Sequence, residues 1–113
     1  MLVVNRFAVA GEDQETFTDR ARAALAALAA RPGYLRGSLG RAYDDPECWC
    51  LYTEWESVGA YRRALSGYEV KVTATPLLAQ SLDEPSAFEE LAVAGPAGEV
   101  RVRTSDRAAE VTS

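Results

Sequence analysis

The sequence predicts an α+β domain built on one antiparallel sheet with its helices on a single side. Three observations carry that prediction. Two stretches alternate with period two: Val3, Asn5, Phe7 and Val9 near the start, and Trp49, Leu51, Thr53 and Trp55 near the middle. A strand with one covered face reads this way. Two other stretches place apolar residues at helical spacing: Phe17, Ala21, Ala24, Leu25 and Leu28, then Val58, Tyr61 and Leu65. The order along the chain is strand, helix, strand, strand, helical segment, strand. That is the split β-α-β order of a ferredoxin-like fold.

The first strand is expected over Leu2 to Ala10, with Asn5 as the one amide in an otherwise apolar row. A buried amide must find partners or cost about 1–3 kcal/mol, so Asn5 is either pinned by neighbours or aimed into a polar pocket. Gly11 or Asp13 can cap the first helix, and Glu12, Asp13 and Glu15 suit its positive end. Alanine is dense from Ala21 to Ala30, which favours helix and allows close approach to a sheet. Pro32-Gly33 ends that helix.

A second strand is expected over Tyr34 to Tyr43, with Leu35, Leu39 and Tyr43 on one face and Gly37 and Arg41 between them. Arg41 shares that face with apolar neighbours, so it either snorkels to the surface or leans into a cavity. Asp44-Asp45-Pro46-Glu47 makes a tight connection, which predicts a hairpin with the strand from Cys48 to Trp55. Ser57 is a good N-cap, so a helix starts directly after Trp55. Trp55 then sits where the sheet passes under that helix, as core or as a pocket wall.

Gly67 can end this helix, and Tyr68 to Thr75 fits strand and helix alike. Pro76 to Ala79 can begin a short helix. Ala87, Glu89, Leu91 and Val93 alternate with Phe88, Glu90 and Ala92, which predicts a last strand. Residues 1–94 are thus expected to form one folded domain and residues 95–113 a polar, mobile tail. Val100 and Val102 offer the alternative of a short strand added to a partner.

The chain has 113 residues, 48% of them hydrophobic, which suits a single domain with an ordinary core. A net charge of −5 argues against a nucleic-acid partner. No apolar run approaches membrane-spanning length, and the start lacks a basic region followed by an apolar one, so the expected location is the cytoplasm. Cys48 and Cys50 lie too close on one strand for an unstrained disulfide. Histidine is absent from the sequence. That excludes histidine bases, Ser-His and Cys-His pairs and histidine ligation of haem or iron, and a metal site is not expected.

A single small sheet covered on one side leaves its other face open. That face is expected to carry Tyr52 and Phe88 beside charged residues, a plausible homodimer surface. Asn5 and Trp55 have the phase to face the helices instead.

Four stretches in order carry a family resemblance: Val3-Val4-Asn5-Arg6-Phe7, Arg31-Pro32-Gly33-Tyr34, Glu54-Trp55-Glu56-Ser57, and Ala60-Tyr61-Arg62. Together they resemble the antibiotic biosynthesis monooxygenase domain. The resemblance implies a dimeric α/β barrel, in which two ferredoxin-like sheets pack face to face. The look is nearest to small oxygenases of aromatic polyketide pathways. Those convert a phenolic or anthrone-type intermediate to a quinone with O₂ and without metal, flavin or haem. By that resemblance Asn5 and Trp55 are the expected catalytic residues. Tyr61 matches a pocket-lining aromatic, and Phe7, Leu51 and Arg41 are expected to contact the substrate. The chain departs from several of those enzymes at Leu51, where they place a second asparagine. Haem-degrading relatives use a histidine and a tryptophan at positions that fall near Ala74 and Ala64, and both are absent.

In cofactor-free oxygenation the substrate is its own reductant. A deprotonated anthrone or hydroquinone passes an electron to O₂, and the radical pair recombines. The protein stabilises the anion, orients it and excludes water. The expected partners are therefore a small aromatic substrate, O₂ and a second copy of the chain. The Asn5 amide and the Trp55 indole N–H are expected to donate to the oxyanion, each for about 2–4 kcal/mol in a dry site. The competing reading is a non-oxidative binding, accessory or cyclase-like protein on the same scaffold.

Overall fold

A computed structural model describes residues 1–105. The main sheet has four antiparallel strands: β1 (Leu2–Ala8), β2 (Tyr34–Arg41), β3 (Cys48–Trp55) and β4 (Ala87–Phe88), in the order β2-β3-β1-β4. The helices are α1 (Gln14–Ala29), α2 (Val58–Leu65) and α3 (Thr75–Leu78), with a π-helical turn over Val70–Ala74. This is the ferredoxin-like α+β arrangement read from the order of elements.

The sheet is amphipathic because β1 and β3 are in phase. Asn5 pairs with Leu51, Val3 with Thr53 and Phe7 with Trp49, so the odd-numbered side chains of both strands share the covered face. Val3, Phe7, Leu51 and Trp55 are all 2% exposed or less. Against them pack Phe17, Ala21, Ala24 and Leu28 of α1, Ala60 and Ala64 of α2, and Val70, Ala74 and Leu77. Alanine on that layer keeps helix and sheet close. A Cβ on Gly37 would stand 2.9 Å from Leu25 Cδ1 and 2.8 Å from the Tyr52 carbonyl oxygen, so β2 needs glycine under α1. Gly33 has φ +89°, and a Cβ there would collide with Ala60 Cβ. The Pro32-Gly33 break thus also seats α2.

Several local expectations change. Ser57 Oγ accepts from Ala60 N at 3.1 Å and caps α2 as expected. The buried stripe of α2 is Ala60 and Ala64, however, and Val58 is 38% exposed. In β2 a bulge between Tyr34 and Arg36 shifts the phase. Tyr34 turns to the covered side, and Leu35, expected on one face with Leu39 and Tyr43, is 58% exposed. The ambiguous stretch after Gly67 is helical. Its buried residues, Val70, Ala74 and Leu77, follow the helical period, and Val72 points outward.

The expected last strand over 87–93 is broken. Antiparallel pairing runs Ala87 with Val3 and Phe88 with Leu2, and there β1 begins, so the next residues have no partner strand. Ala92–Ala94 (β5) pairs instead with Val100–Val102 (β6), joined through Gly98 at φ +83°. The boundary expected after residue 94 falls inside this hairpin. Residues 106–113 of the expected tail lie outside the described residues.

The open face carries Leu2, Val4, Tyr52 and Phe88 together with Arg6, Arg36 and Glu54. Arg6 holds Glu84 through a paired contact of 2.5 and 2.8 Å, and the guanidinium keeps that carboxyl below its usual range. Arg36 stands 3.4 Å from Glu54 and 6.0 Å from the Tyr52 ring centre. Desolvation first, then Glu54, pushes the Tyr52 phenol up to about 12. The thiols of Cys48 and Cys50 are free and partly buried. Among the described residues no helix is long and apolar enough to cross a membrane.

Candidate functional site

The covered face of β1 and β3 is a floor of cross-strand rows. Phe7 stands opposite Trp49, Asn5 opposite Leu51, and Val3 opposite Thr53. Met1 then meets Trp55, whose backbone N–H donates to the Met1 carbonyl at 2.9 Å. Aromatic clusters close the two ends. At one end Phe17 of α1 lies 5.1 Å from Phe7 and 5.4 Å from Trp49, ring centre to ring centre. At the other end the Trp55 ring lies 5.4 Å from Tyr34 and 5.4 Å from Tyr61. Between the clusters the polar groups are Asn5 and Thr53, 8% and 2% exposed, the buried polar residues among those described.

Asn5 is the notable group. Its side chain engages no hydrogen bond among the described residues, whose enclosed, unpartnered side-chain nitrogens are Arg31 Nε and Trp49 Nε1. The amide of Asn5 is therefore neither paired nor sealed. Neighbours among the described residues do not pin it by a side-chain hydrogen bond. An amide in that state is open to an oxygen of a ligand or of water.

Trp55 is placed differently. It is 1% exposed, and its indole N–H donates to Thr53 Oγ1 at 2.8 Å. The N–H expected to meet substrate thus serves a protein acceptor. Trp55 also sits two rows from Asn5, four residues of strand or about 13 Å along the sheet. The structure brings Asn5, Leu51 and Phe7 together, and separately Trp55 and Tyr61. Arg41 joins neither group. It is exposed, lies 5.3 Å over the Trp49 ring and donates to Gln14 Oε1 at 3.3 Å, the snorkelling position.

Burial pushes the Tyr61 phenol up from its ordinary value, so at neutral pH it is a hydrogen-bond donor and not a base. Tyr61 also walls an apolar groove of about 560 Å³ with Leu65, Lys71, Thr75, Leu78 and Ala79. That volume lies within the about 300–1,000 Å³ typical of small-molecule sites. One side of Tyr61 thus meets the groove and the other meets Trp55. Neither Asn5 nor Trp55 lines this groove. Among the described residues no three His, Cys, Asp or Glu side chains gather as a metal-holding group.

Two site residues escaped the sequence reading. Thr53 was visible on the right face two residues before Trp55, and that spacing is the signal for a hydroxyl reaching the indole. Tyr34 was hidden by the bulge, which nothing in the local sequence marks.

The fold recurs in known proteins. No curated protein matches the sequence. Among solved structures, SnoaB, a cofactor-independent oxygenase from Streptomyces nogalater, matches at 32% identity and TM-score 0.56, over 80% of this chain and 94% of that one. A mutant of the same oxygenase matches at 28% identity and TM-score 0.62, over 93% and 91%. A protein from Methanosarcina mazei Go1, at 20% identity and TM-score 0.63 over 76% and 84%, shares the fold. The model of the antibiotic biosynthesis monooxygenase family matches residues 1–75, which contain every row of the floor and the helices α1 and α2 above it. The chain belongs to the antibiotic biosynthesis monooxygenase family.

Proposed function

We propose that the protein is a cofactor-independent oxygenase that converts a phenolic or anthrone-type aromatic polyketide intermediate to a quinone with O₂. The observation that supports this reading is the Asn5 amide, 8% exposed on the covered face and without a side-chain hydrogen bond among the described residues. Family membership and the likeness to SnoaB supply the reaction class.

In this reading the substrate enters by the groove beside Tyr61, and the α1 side chains packed on the floor move aside so that one of its oxygens reaches Asn5. Trp55 and Phe7 wall it with their rings, Leu51 packs on its rings and Tyr61 guards the entrance. Arg41 stays outside and has no part in the chemistry. The buried polar residues, Asn5 and Thr53, do not titrate, and Tyr61 is held neutral. The proton therefore leaves through the substrate's own acidity, sharpened by donation from Asn5 to the forming oxyanion. The anion passes an electron to O₂, and the radical pair joins at the activated carbon. For an anthrone, the methylene loses two hydrogens and keeps one oxygen atom as the new carbonyl. The other oxygen atom leaves as water. The open face pairs with a second copy through Tyr52, Val4 and Phe88, completing a dimeric barrel.

The test is O₂ uptake by metal-stripped protein with dithranol as substrate, against autoxidation without protein. Uptake above that baseline supports the oxygenase. Coincidence with the baseline across several polycyclic phenols contradicts it and favours a non-oxidative binding or cyclising role. That second reading draws on Leu51, which leaves Asn5 without an amide opposite it.

A further inference from the structure

The two buried polar residues of the covered face are diagonal neighbours. Asn5 is level with Leu51, and Thr53 is the next residue of β3 on the same face. Diagonal pairs of this kind lie about 7–8 Å apart at Cα, less at the side chains. Thr53 Oγ1 accepts the Trp55 indole N–H at 2.8 Å, and its own hydroxyl proton goes to no described residue. A hydroxyl has one proton to give and two lone pairs to receive. With one lone pair engaged by the indole, the group is fixed in place and polarised, and its proton remains available. Leu51, between the two, offers nothing polar.

We propose that Thr53 is the second hydrogen-bond donor of the site. In this arrangement the Asn5 amide and the Thr53 hydroxyl together hold one phenolate oxygen of the substrate, and Trp55 is a positioning residue that acts through Thr53. The chain Trp55 N–H to Thr53 O–H to substrate oxygen replaces the direct indole contact, which the indole's geometry forbids. It also explains how an oxyanion site works with Leu51 opposite Asn5. The inference deepens the oxygenase reading and rests on it for the fate of the ligand, although not for its binding.

Two measurements test it. The first is turnover of dithranol by Thr53→Val, which keeps shape and loses the hydroxyl, and by Thr53→Ser, which keeps the hydroxyl. Thr53→Val is expected to lower kcat by about a hundredfold, the usual loss for one oxyanion donor, with Thr53→Ser close to wild type. Trp55→Phe is expected to lower kcat in the wild-type background and to have no further effect once Thr53 is Val. The second measurement needs no turnover. Bound 2-hydroxyanthraquinone reports its own ionisation by absorbance, and its phenol is expected to titrate lower on wild type than in water. That shift is expected to be lost in Thr53→Val and restored in Thr53→Ser. Equal values for Thr53→Val and Thr53→Ser, or no shift on wild type, overturn the proposal. A Thr53-dependent shift without O₂ uptake leaves the donor pair standing and removes only the oxygenase reading.

Discussion

At the scale of single residues, the proposed reaction relies on groups that do not titrate near neutrality. Tyr61, beside Trp55, is a candidate base, and burial raises its pKa. The sign matters. A tyrosine whose folded pKa is raised favours the neutral phenol. Its contribution to stability is complete below its unfolded value of about 10 and is lost as pH rises through the higher folded value. Between about pH 6 and about pH 9 it neither ionises nor accepts a proton. The pH profile of oxygenation is therefore expected to follow the substrate's ionisation, with the same midpoint in wild type and Tyr61→Phe. A midpoint that moves with Tyr61→Phe would assign the base to Tyr61. Asn5 and Trp55 were both legible as covered-face residues, because period two fixes phase. What each side chain bonds was not legible. The Trp55 indole finds Thr53, and Arg41 finds Gln14 and Trp49, through contacts that alternation does not encode.

At the scale of elements, close approach of helix to sheet decides the architecture. Gly33 carries both a positive φ and a contact with Ala60 that leaves no room for a Cβ. Gly33→Ala combines left-handed backbone strain with that clash, so it is expected to cost at least about 2 kcal/mol. Chemical denaturation measures this directly, and a loss below half that size would mean that α2 shifts freely. The strands and α1 were readable because alternation and the helical period are strong over their length. The bulge at Tyr34 was not, since it depends on pairing with β3. The last strand failed for a similar reason. Ala87 to Val93 has strand alternation, but β1 starts at Leu2 and offers no further partner. The helical outcome after Gly67 was decided by tertiary burial of Val70, Ala74 and Leu77, which local propensity does not contain. A π-helical turn is uncommon and occurs frequently at functional sites, and here its Lys71 lines the groove beside Tyr61.

At the scale of the whole molecule, a four-stranded sheet covered on one side leaves apolar side chains on the other. Leu2, Val4 and Tyr52 are only partly buried by their own chain, and Phe88 is 44% exposed. A second copy is expected to cover them, so sedimentation should give twice the chain mass of 12.2 kDa at micromolar concentration. Tyr52→Glu places a second carboxylate beside Glu54 on that face and is expected to shift the equilibrium to monomer. A wild-type monomer under these conditions would remove the paired barrel. The order of elements made the fold class readable, since few topologies satisfy it. Val100 and Val102 were readable as a short strand, but their partner in β5 was not, because runs of three residues carry too little alternation to fix a pairing.

The most direct measurement is Asn5→Leu, followed by thermal unfolding and by O₂ uptake with dithranol on the same sample. An amide on the covered face without a hydrogen-bond partner among the described residues is expected to serve the ligand and not the fold. The expected result is a melting temperature equal to or above wild type, with uptake falling to the uncatalysed baseline. A variant that melts lower while still consuming O₂ at the wild-type rate would show that Asn5 supports the core and that the chemistry lies elsewhere.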